Sequence, residues 1–101
     1  MVTVRNPQKV KALQATAARK RPVGPFREAM VDAGLFHWHV LPMDLRAHIT
    51  EHVRKLFEDD KWLDSAYMMV SGWGGSSDAR KYRVITVLAA FEAIADWMET
   101  Q

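Results

Sequence analysis

Val84-Ile85-Thr86-Val87-Leu88-Ala89-Ala90-Phe91 is apolar on almost every side of a helix, and its reading decides the fold. A surface helix carries one apolar stripe, whereas a helix that is apolar all round is buried on most of its circumference. Ser76-Ser77-Asp78 offers an N-cap just upstream, and the helical pattern then runs on to the C-terminus. This segment is expected to be the central helix of the core, with Leu88 and Phe91 among its buried anchors.

Working outward, Asp60 can cap a preceding helix whose Trp62, Leu63, Ala66, Met69, Val70 and Trp73 make the buried side, ended by Gly72, Gly74 and Gly75. Pro42 and Asp44 start another, with Leu45, Ile49, Val53, Leu56 and Phe57 on one face as far as about Glu58. Pro25 opens a short helix in which Phe26, Ala29, Met30 and Ala33 recur at helical spacing, closed by Gly34. Asn6 followed by Pro7 reads as a cap with proline at the first helical position. Val10, Leu13 and Ala17 then form a thin stripe until Arg21-Pro22. Leu35 to Leu41 alternates instead, Phe36, Trp38 and Val40 opposite His37 and His39, which predicts an extended segment. The expected fold class is mainly α: a small irregular bundle of about five helices with one short extended segment. It forms a single helical domain over 1–101 with a basic N-terminal helix or arm at 1–22.

The chain has 101 residues, 49% apolar and 26% charged, which suits one ordinary core and excludes disorder as the default. It contains no cysteine, so disulfides, thiolate catalysis and Cys-ligated metal sites are ruled out together. The longest apolar stretch, around Val84 to Ala95, falls short of the roughly 18–20 residues that a membrane span needs. A cytoplasmic location is expected, with no membrane partner. Charge is unevenly placed: seven Lys or Arg and no acid precede Glu28, and from there seven bases face twelve acids. The basic character is therefore N-terminal.

His48-Ile49-Thr50-Glu51-His52 fits H-x-x-E-H, the pattern carried by inverzincin metallopeptidases. Two histidines at i and i+4 share a helical face and can both reach one ion, and a glutamate beside them could activate a bound water. The resemblance to those peptidases implies a third ligand, a glutamate on a later helix beyond the last residue of this sequence. His52 also lies at the edge of the Leu45, Ile49 and Leu56 stripe, where a ring packs its body and keeps a nitrogen wet. On that balance no metal and no cofactor are assigned, and His48 and His52 mark only the least favoured reading, a metal-dependent hydrolase.

Gly72-Trp73-Gly74-Gly75-Ser76-Ser77 has exposed amides before a helix start but is not a Walker loop. The serines stand at no recognisable spacing from a histidine, and the acids are dispersed, so an enzyme is not expected. Four Trp and six Met are more than so short a chain readily hides. Some should surface as an adaptable apolar patch of the kind that docks proteins. The expected function is a non-enzymatic protein-binding module, acting as a small inhibitor, adaptor or oligomerising partner. Its partner is another protein or a second copy in a homodimer, met through His37, Trp38, His39 and Trp73. In size alone it resembles the small proteins that phages and mobile elements encode to block host machines, anti-CRISPR proteins among them. The alternative is a small nucleic-acid-binding regulator using Lys9, Lys11, Arg19, Lys20 and Arg21, with a second basic spot at Arg80, Lys81 and Arg83.

Overall fold

The computed structural model describes residues 4–20, 41–72 and 77–100. They form four helices: α1 (Pro7–Lys20), α2 (Met43–Glu58), α3 (Asp60–Ser71) and α4 (Asp78–Glu99), with no strand among the described residues. Four of the expected helices are therefore present. The helix read over Pro25 to Gly34 and residues 35–40 of the alternating segment lie outside the described residues, as do Trp73 and the other glycines of its turn.

Local chemistry places the boundaries. The carbonyl of Asn6 accepts from the Val10 N–H, so Asn6 stands where a cap belongs and Pro7 opens α1. Asp59, not Asp60, caps α3: its carboxylate accepts from Trp62 N at 3.1 Å. The same residue closes α2 by donating its N–H to the Leu56 carbonyl, so a single extended residue joins the two helices. Gln14 of α1 reaches this corner and donates to the Phe57 carbonyl at 3.1 Å and to Asp60 Oδ1 at 2.7 Å. One of the carbonyls that a helix end leaves unpaired is thereby satisfied from another helix. Ser77 caps α4 through its hydroxyl, which accepts from Arg80 N.

All four helices contribute to one core. Val10 and Leu13 enter from α1, Ile49, Val53 and Phe57 from α2, and Leu63, Ala66 and Val70 from α3. The α4 contribution is Tyr82, Ile85, Ala89, Ala90 and Ala93. Thus α1 is anchored in the core rather than carried as an arm. The centrality expected of α4 is present, but on a different face. Phe91 is 45% exposed, because at about 100° per residue it lies roughly 200° round the helix from Ala89 and from Ala93. Small residues face inward there, which lets α4 approach its neighbours closely. Met69 of α3 likewise turns outward, at 49% exposure, and Trp62 is only half-buried. Thr86 is fully buried and satisfies its hydroxyl by donating to the Arg83 carbonyl at 2.6 Å.

Asp64 of α3 is the one buried acid of the described residues, and it ties down the segment that leads into α1. Its carboxylate accepts from Arg5 N at 3.1 Å, from Asn6 N at 2.8 Å and from Asn6 Nδ2 at 3.3 Å. The Arg5 backbone N–H, followed by the Asn6 donors, holds the carboxyl below its usual range. A carboxylate lowered on folding stabilises the fold above its unfolded pKa and loses that contribution as pH falls through the folded value. Thermal stability is therefore expected to drop below about pH 4, near the ordinary aspartate value. Asp64→Asn should lower the melting temperature at pH 7 and flatten that acid limb. Identical melting curves for the two proteins at pH 7 and pH 3 would show that the tie contributes nothing.

Candidate functional site

Where α2 meets the end of α4, three potential ligands converge. His48 and His52 stand one turn apart on α2, with ring centroids 5.6 Å apart and planes inclined by 26°. Asp96 comes from α4. Its Oδ2 lies 3.0 Å from His48 Nε2 and 3.8 Å from His52 Nδ1. Trp97 walls the group, its ring 5.4 Å from that of His48. The two imidazoles are about three-quarters buried and the carboxylate is more open. His48 Nε2 is enclosed and makes no hydrogen bond, although Asp96 Oδ2 lies 3.0 Å away.

Glu51, the acid that the H-x-x-E-H string would use on a bound water, takes no part in this group. It sits on the exposed flank of α2 and pairs with Arg54 at 2.6 Å. The Arg54 guanidinium holds its carboxyl below the usual range. The third donor is thus an aspartate of α4 rather than the acid inside the string. Nothing local in the sequence identifies Asp96, because the contact is made only by folding.

A second feature is the outer side of α4. Val84, Val87, Phe91, Ile94 and Met98 fall opposite the alanine face. Phe91 is 45% and Met98 70% exposed, while Val84, Val87 and Ile94 are half-buried and pack against the edge of the core. Beside them Leu88 lines a shallow groove with Trp62 and Met69 of α3. Met43 and Met68 are exposed elsewhere on the surface.

Basic residues gather only in part. Lys9 and Arg19 of α1 and Lys81 of α4 line one cleft with Tyr67 and Tyr82. Lys9 is already paired with Asp78 at 3.0 Å, and the Lys81 ammonium sits 5.0 Å over the Tyr67 ring. Burial pushes the Tyr82 phenol up to about 12. Lys11 lies about 200° round α1 from Lys9 and, like Arg80 and Arg83, does not line the cleft. The Lys20 side chain and Arg21 lie outside the described residues, as do His37, Trp38, His39 and Trp73. No described helix is long and apolar enough to cross a membrane. No family model matches this chain, and no curated protein or solved structure shows significant similarity to it.

Proposed function

We propose that this chain is a non-enzymatic protein-binding module that docks through the outer face of α4, and that the partner is α4 of a second copy. The observation that carries this reading is a helix apolar on both sides. One side is used by the core, while Phe91 and Met98 stand open on the other. The two lie about two turns apart on one side of α4 with half-buried Ile94 between them, and an apolar patch of this kind marks an interaction site.

Geometry favours an antiparallel self-pairing. A twofold axis at Phe91 sets Val84 of one copy opposite Met98 of the other, so the open apolar side chains meet along one seam, and it opposes the helix dipoles. From Val84 to Met98 the seam is about 20 Å long at 1.5 Å per residue. Such a seam is shorter than a standard interface of about 800 Å² per partner supplies, so association is expected to be weak, on the order of micromolar. A cytoplasmic setting belongs to the same reading.

Sedimentation analysis over a concentration series tests it. The chain should pass from monomer to dimer, and Phe91→Glu should weaken association by about 2 kcal/mol or more, as expected for an aromatic anchor at an interface centre, while its circular dichroism stays unchanged. A monomer at hundreds of micromolar, or a dimer indifferent to Phe91→Glu, overturns the proposal.

A further inference from the structure

We infer that His48, His52 and Asp96 form a binding site for a divalent transition-metal ion, with zinc as the best-fitting member of the class. The donor set is two imidazoles and one carboxylate, a combination that suits zinc and its neighbours better than magnesium or calcium, which favour all-oxygen sites. The three ligand atoms lie within 4.8 Å of one another. Around a tetrahedral zinc with bonds of about 2.0–2.1 Å, neighbouring ligand atoms stand roughly 3.3 Å apart. The two separations from Asp96 Oδ2, 3.0 Å and 3.8 Å, bracket that edge. Small side-chain rotations would equalise them.

The enclosed, unpartnered nitrogen of His48 supports the same conclusion. Ligands of a common ion aim at a third point and not at each other. His48 Nε2 is enclosed, without a directed hydrogen bond, beside an oxygen 3.0 Å away. The rival explanation is an imidazolium–carboxylate pair, which would direct an N–H into that oxygen. Preorganisation is also present: α2 fixes both histidines one turn apart, and α4 brings the acid, so the ion would clamp α2 to α4. Three protein ligands leave one tetrahedral position for water or for a donor from a partner. The site is separate from the outer face of α4, and its test does not depend on dimerisation.

The untagged chain, stripped with a chelator and dialysed, would be titrated with Zn²⁺ by calorimetry and with Co²⁺ by visible absorption. The expected result is one ion per chain, the strong visible bands of four-coordinate Co²⁺, and a rise in melting temperature with Zn²⁺. His52→Ala and Asp96→Asn should each weaken Zn²⁺ binding at least tenfold and lose the Co²⁺ bands, with the helical spectrum retained. The double variant His37→Ala, His39→Ala should bind as the parent does. Absence of stoichiometric Zn²⁺ binding overturns the inference. So does binding that survives both site variants, or binding that is lost with His37 and His39.

Discussion

Ile85→Ala is expected to lower the stability of the fold by about 2–5 kcal/mol, the range found when a fully buried aliphatic side chain is cut back and its cavity is not refilled. Ile85 is 0% exposed and belongs to α4, the helix that faces the core from within. The total stability of such a domain is about 5–15 kcal/mol, so this one change would consume a large part of it. Phe91→Ala, six residues later on the same helix, should cost at most about 1 kcal/mol, because nearly half of its surface already meets solvent. The larger side chain is thus the cheaper one to remove. Denaturant midpoints of the two variants at a common slope measure the contrast. A greater loss at Phe91 than at Ile85 would mean that the inward face of α4 is assigned the wrong way round.

That contrast also marks how far the sequence can be read. Caps were legible because they are local: Asn6 before Pro7, the aspartate pair at 59–60 and Ser77 each lie within a residue of an observed helix start. The stripes of α2 and α3 were legible for the same reason, since Ile49, Val53 and Phe57, or Leu63, Ala66 and Val70, repeat on one side. The run in α4 has no polar side from Val84 to Phe91, so periodicity there has nothing with which to choose a face. The choice is made by volume. Alanines at 89, 90 and 93 admit the neighbouring helices, and Phe91 is left outside. The candidate site was half legible. His48 and His52 share a helical face by spacing alone, whereas Asp96 joins them only when α4 packs on α2. Asp64 left no trace either, because two of its three donors are backbone N–H groups of Arg5 and Asn6, which any residue but proline would supply.

Ala93→Leu should therefore destabilise strongly despite adding apolar surface. Ala93 is 0% exposed, and the added atoms have no room unless α4 moves or its neighbours leave their rotamers. Overpacking of this kind typically costs about 1–3 kcal/mol. The control is Ala95→Leu, two residues along on an exposed position of the same helix, where the change should stay within about 0.5 kcal/mol. Helix propensity barely distinguishes the two substitutions, so packing decides the difference between them. The displacement should also reach the histidine cluster, since Asp96 follows Ala93 by three residues and its Oδ2 must stay near His48 Nε2. If Ala93→Leu folds, it should hold Zn²⁺ more weakly than Ala95→Leu, the helix having carried its carboxylate away from α2. Equal stability of the two leucine variants would show that the alanine face of α4 is not packed against its neighbours, and the close approach that brings Asp96 to His48 would fall with it.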